Sequence, residues 1–243
     1  YDPRGDGRAI EVVGDLATAQ HIAVLVPGVG WDLAKLLADG GRDPSGPLFD
    51  ARALVGQAHR LDPAARVAAV AWLGYDPPEG IDLQAVRSER AVAGAGVLAR
   101  FVAGLRATAG TAATITLICH SYGAVVCGHA VAAGATGVPL STVDDLVVLA
   151  APGLDVANRS ALVGAGRVWA ARAVGDPIRF TPFVRVAGLG HGADPTGAGF
   201  GALVLRTGSA RGHGGYYRPG TESLTNLARV LLRTMPEVSN VDS

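Results

Sequence analysis

The chain has 243 residues and a mass of 24.6 kDa, with 21 Lys+Arg against 21 Asp+Glu, 49% apolar residues and only 17% charged ones. A zero formal charge excludes the basic face that a nucleic-acid binder needs to displace counterions. So high an apolar fraction with so little charge excludes a disordered chain. No run approaches the roughly 18 uncharged apolar residues that would span a bilayer, so no transmembrane segment is expected. The length suits one soluble α/β domain with a sizeable core, residues 1–243.

From the amino end, the chain starts at Tyr1 rather than Met, which reads as the loss of something upstream. Residues 10–13 suggest an edge strand. Residues 22–26 form the first fully apolar strand, followed at once by Pro27-Gly28-Val29-Gly30. Then come a helix over 47–60, a strand over 67–72, a helix over 88–107, a strand over 114–119 and a helix over 122–133. Strands over 146–150, 167–173 and 202–206 and a helix over 222–234 complete the series. Strands that are apolar nearly throughout belong to parallel sheets covered on both faces. Their alternation with helical periods gives an α/β fold, a mostly parallel central sheet with helices on both faces. Residues 174–201 break this order. They hold three prolines and many glycines, and long irregular stretches inside compact domains usually carry function.

Lys35 is the only lysine, so lysine Schiff bases and Walker-type phosphate grips fall away. Gly28 and Gly30 fit the start of a dinucleotide fingerprint, but Leu33 stands at its third glycine. No metal-ligand spacing is present, and no cofactor is expected. Cys119 and Cys127 are too few for a disulfide framework. With Cys119 ending a strand and Cys127 nearly two turns into a helix, they are expected to lie too far apart to bridge.

The strongest local signal is TITLICHSYGAVVCGHAV. A β-branched strand runs into His120-Ser121-Tyr122-Gly123, and a helix of small residues follows, the context of a nucleophile elbow. Ser121 would sit at the amino end of that helix, where free N–H groups and the helix dipole favour an oxyanion. Cys119 stands where G-x-S-x-G has its first glycine. In such folds the acid and base follow the serine in that order. Asp176, just past a strand's carboxyl end, is the acid; Asp155 and Asp194 compete with it. Among six histidines, His21, His59 and His129 read as structural or surface residues. His120 should point away from the side of Ser121. His191 and His213 then compete for the base; His213, on a glycine-rich loop after the last strand, takes it, and His191 shapes the pocket or is solvated. Oxyanion donors are expected from the N–H groups of Tyr122 and Val29. Trp31, Tyr75, Phe180, Phe183 and Tyr216 sit in loops that could wall an apolar pocket.

Taken together, AWLGYDPP, CHSYGA, VDDLVVLAAPG, GDPI, HGADPTGAGFGA and GHGGYY, with the first 33 residues, resemble the actinobacterial α/β-hydrolase family designated DUF1023. The resemblance covers essentially the whole chain. It implies an α/β-hydrolase sheet and a serine nucleophile at Ser121 with Asp176 and His213 as partners; it implies no particular substrate. The expected activity is hydrolysis of a small-molecule ester or lipid through an acyl-enzyme, esterase- or lipase-like. The competing expectation is a non-catalytic module of this fold that binds a lipid or protein partner. Haloalkane- or epoxide-type chemistry would need aspartate where Ser121 stands.

Overall fold

The structure, a computed structural model, describes residues 7–39, 46–109, 112–132 and 143–239. Seven strands form one sheet: β1 (Ala9–Gly14), β2 (His21–Val26), β3 (Val67–Leu73), β4 (Thr114–His120), β5 (Val143–Leu149), β6 (Ala165–Ala171) and β7 (Leu203–Val204). Their order is β1-β3-β2-β4-β5-β6-β7, with only β1 antiparallel to its neighbour. The central strands are buried on both sides, β3 at every position, which is why they read as unbroken apolar runs.

Among the described residues five helices cover the sheet: α1 (Leu33–Asp39), α2 (Pro47–Leu61), α3 (Glu89–Ala109), α4 (Tyr122–Val131) and α5 (Glu222–Leu231). The helices α3 and α4 pack with Ile115, Leu117 and Cys119 on one face. On the other, α2 and α5 pack with Ile118, Val147 and Trp169. By length and composition α3 alone among the described helices would suit a bilayer. Its buried positions, Ala91, Gly94, Ala95, Leu98, Ala99, Val102 and Leu105, form a single stripe. That stripe is how a helix covers a sheet in water.

Two elements depart from their sequence reading, and the end of a third cannot be compared. The last strand keeps two residues of the expected 202–206, because the chain leaves β6 after Leu205 and Leu205 pairs instead with Val238. The helix α1 was unforeseen, being short and enclosed by glycines. The expected end of α4 at Ala133 lies outside the described residues.

The cysteines require a correction. Cys119 and Cys127 form a disulfide, with their Cα atoms 6.5 Å apart, inside the span a bridge allows. The chain reverses at Ser121, so α4 runs back over the strand it has just left. Distance along the helix therefore brings Cys127 over Cys119 instead of carrying it away.

Candidate active site

Ser121 joins β4 to α4 with φ 54° and ψ −127°, a conformation a non-glycine residue keeps only when its surroundings impose it. Its N–H donates to Leu149 O at 2.9 Å, and its carbonyl accepts from Ala124 N at 2.9 Å. The turn works only with small neighbours. A Cβ on Gly123 would lie 2.5 Å from Val26 O, and one on Gly28 would lie 2.7 Å from Ser121 Cβ.

The loop after β6 supplies Asp176, whose side chain is wholly buried. Asp176 Oδ1 accepts from Ile178 N at 3.0 Å and from His213 Nδ1 at 2.8 Å. Oδ2 accepts from Tyr216 Oη at 2.6 Å. Burial alone would raise the Asp176 carboxyl, but the hydrogen bonds from His213, Tyr216 and Ile178 outweigh it and hold it below the usual carboxylate range. Tyr216 Oη in turn accepts from Ala173 N at 2.9 Å, and burial followed by the Asp176 bond pushes the phenol up. With Nδ1–H given to the carboxylate, His213 turns a lone pair on Nε2 toward Ser121 Oγ, 2.9 Å away. Gly212 N donates to Val174 O at 3.0 Å, so the loop carrying His213 is tied to the one carrying Asp176.

A cavity of about 240 Å³ opens over Ser121 and His213. Gly28 and Val29 form one wall; the N–H of the next residue, Gly30, is engaged by Pro78 O at 2.8 Å. Of the six side chains expected around the pocket, Trp31 and Tyr216 line the cavity. Tyr75 does not line it; it is buried, its hydroxyl donating to Pro27 O at 2.7 Å, next in the chain to the Gly28–Val29 wall. Phe180 is 75% exposed, and Phe183 packs under the Arg172 guanidinium at 5.7 Å.

His191 is the fourth displaced expectation. It is buried, with Nδ1 3.2 Å from Asp155 Oδ1 and Nε2 2.8 Å from Ala85 O. Asp155 also receives His129 at 2.8 Å, Arg185 at 3.2 Å and the Ser88 hydroxyl. Burial would raise this carboxyl, yet the bonds from His129, His191 and Ser88 hold it far below the usual range. The competing acid and the competing base are thus paired with each other. They pin the irregular segment to α4 and to the start of α3. Asp194 is occupied by Arg172 at 2.6 Å and by Thr196 N at 2.9 Å.

His120 departs from its expected orientation. Its ring lies 4.7 Å from that of His213, it lines the cavity, and its Nε2–H donates to His213 O at 2.6 Å. The alternation of side chains along a strand fails here because Ser121 has already left the strand conformation. Burial, then the neighbouring His213, lowers the His120 pKa to about 4, so it is a neutral donor. The sequence reading also missed Asp50 and Tyr217, which reach the cavity from α2 and the turn before α5. Asp50 reads as an ordinary position of the helix over 47–60, and Tyr217, although it closes the GHGGYY segment, carries no chemical signal beyond that of its neighbour Tyr216. Among the described residues no cluster of three His, Cys, Asp or Glu is placed to hold a metal.

The first 186 residues decide the family: 2–186 match the model of a family described as alpha/beta hydrolase. The chain belongs to this alpha/beta hydrolase family. The match ends before His191 and His213. An uncharacterized protein of Mycobacterium tuberculosis (strain ATCC 25618 / H37Rv) is 32% identical over 260 residues, covering 95% of this hydrolase chain and 38% of its own length. A second uncharacterized protein of that strain is 32% identical over 162 residues, 66% of this chain and 58% of its own. The hydrolase chain thus spans under two-fifths of the first relative's length, and both relatives are actinobacterial, as the sequence resemblance implied. Two solved structures share the fold. They are the esterase PE8, with TM-score 0.50, 18% identity and coverage of 94% and 99%, and the Bacillus cereus carboxylesterase, with TM-score 0.52, 13% identity and coverage of 94% and 95%.

Proposed function

We propose that the protein is a serine hydrolase of carboxylic esters, with Ser121 as nucleophile, His213 as base and Asp176 as the acid that orients it. The observation that carries this reading is the unbroken chain of hydrogen bonds from Asp176 through His213 to Ser121 Oγ, 2.8 and 2.9 Å long, at the floor of a cavity. Ser121 Oγ attacks the ester carbonyl as His213 Nε2 takes its proton. The tetrahedral oxyanion is received by the N–H groups of Tyr122 and Val29. His213 gives the proton to the leaving alcohol, and the acyl group stays on Oγ. Water then enters, loses a proton to His213, and releases the acid while Ser121 regains its proton. Asp176 remains ionised throughout and stabilises the imidazolium. Esters are favoured over amides by the esterases that share this fold.

The test is labelling by a fluorophosphonate probe. Stoichiometric modification of Ser121 is expected; an unlabelled, folded protein would instead fit a binding module of this fold.

The cavity also bears on substrate size. At about 240 Å³ it lies below the roughly 300–1,000 Å³ of pockets that enclose drug-sized ligands. Lengthening the acyl chain of p-nitrophenyl esters beyond butyryl should therefore bring no rise in kcat/KM, since a methylene that the cavity cannot bury adds none of the roughly 0.8 kcal/mol that burial contributes. A kcat/KM that climbs steadily from butyryl to decanoyl would assign the site to lipids.

Tyr216→Phe should lower kcat about tenfold and leave KM within twofold, since a hydrogen bond to a charged group contributes about 1.5–3 kcal/mol. Steady-state kinetics check this. A rise in KM alone would place Tyr216 in substrate binding instead.

A further inference from the structure

Two residues before the nucleophile, where the elbow pattern asks for glycine, this chain has one half of a disulfide. Cys119 lies in β4 between Val26 of β2 and Val148 of β5, its partners in the sheet register. Cys127 lies in α4, and both sulfur-bearing residues are fully buried. The bond between them closes a ring over 119–127 that contains His120, Ser121 and Tyr122. Those three residues donate to His213 O, face His213 Nε2 and supply an N–H at the start of α4.

Ser121 holds a positive φ that its own side chain does not favour. Something outside the residue must therefore fix the angle between strand and helix. The sheet register fixes the strand side. On the helix side, Gly123 and Gly128 let α4 press against Val26 O and Leu154 O, each at 2.5 Å from where a Cβ would stand. Close packing of this kind sets a distance but leaves the helix able to slide and turn. A covalent tie across the reversal removes that freedom.

We propose that the Cys119–Cys127 disulfide is a positioning bond for the elbow. It holds the start of α4 against the end of β4, so that Ser121 Oγ and the Tyr122 N–H stay aligned with His213. The proposal rests on the reading of Ser121 as nucleophile. Cysteine at position 119 is then no degraded glycine but half of a different solution to the same requirement.

The first test is a thiol count on the protein denatured without reductant. No free thiol is expected; two per chain would overturn the proposal. The second compares the wild-type protein with Cys119→Ala/Cys127→Ala by circular dichroism, fluorophosphonate labelling rate, kcat and KM. Both the labelling rate and kcat should fall roughly tenfold or more, with KM and the spectrum unchanged, since a displacement near 1 Å costs on the order of a hundredfold. A fall of less than about threefold, or a change confined to KM or thermal stability, overturns the positioning role. Should the alanine pair not fold, Cys119→Ser/Cys127→Ser takes its place. Failure of both pairs to fold assigns the bond to stability alone and also overturns the proposal. A wild-type protein that resists labelling and hydrolyses no ester refutes the nucleophile reading instead, while its thiol count still reports on the bond.

Discussion

Ser121→Ala is expected to lower ester turnover by roughly 10⁴–10⁶-fold, the range seen when a triad nucleophile is lost. Among the described residues no second serine, threonine or cysteine lines the cavity. His213 and His120 are its neighbours in the cavity, and His120 gives its Nε2–H to a backbone carbonyl. The fold should survive, because the elbow is held by the backbone bonds from Ser121 N to Leu149 O and from Ala124 N to Ser121 O. Alanine keeps the Cβ that already fits beside Gly28. Initial rates with an activated butyryl ester, alongside circular dichroism, measure both halves of the statement. Residual turnover within tenfold of the wild type would remove Ser121 from the mechanism.

His213→Ala should lower turnover about as far as Ser121→Ala, and the double variant no further, because members of a triad act as a unit. The same substitution at His191 should act differently. His191 faces two oxygens, Asp155 Oδ1 and Ala85 O, and reaches Tyr122 only edge to face at 5.6 Å between ring centroids. His191→Ala should loosen the segment around it and alter KM or thermal stability, leaving the pre-steady-state burst with an activated ester intact. A burst that survives His213→Ala and vanishes in His191→Ala would reverse the assignment of the base.

The sheet was legible in the sequence because its parallel strands are buried on both faces, and β2, β3 and β4 spell that out as unbroken apolar runs. The elbow was legible because strand, reversal and helix are contiguous in the chain. Asp176 and His213, the proposed acid and base, stand out in the sequence because each follows a strand at the sheet's carboxyl edge. What escaped depends on contacts between distant segments. Asp50 and Tyr217 reach the cavity by the way α2 and α5 dock. His191 and Phe183 lie in residues 174–201, whose path is set by Asp155 and Arg172 and by no periodicity. The cysteine pair was misread because spacing along a helix was taken for separation in space, although a chain reversal stood between the two residues.

The order of the strands has a consequence for how molecules of this protein can meet. A sheet edge is a row of unpaired backbone groups that another strand can join. One edge here, β7, is two residues long, and the returning chain covers it through Leu205 paired with Val238 and Ser239 N bonded to Val204 O. The other, β1, runs six residues with Ile10 and Val12 both more than 40% exposed. Among the described residues, then, no strand pairs with the outer side of β1, whereas the outer side of β7 is covered. Because Asp176 and His213 leave the sheet beside β6 and β7, five and six strands away, a neighbour joining at β1 would extend the sheet without covering the loops that carry them.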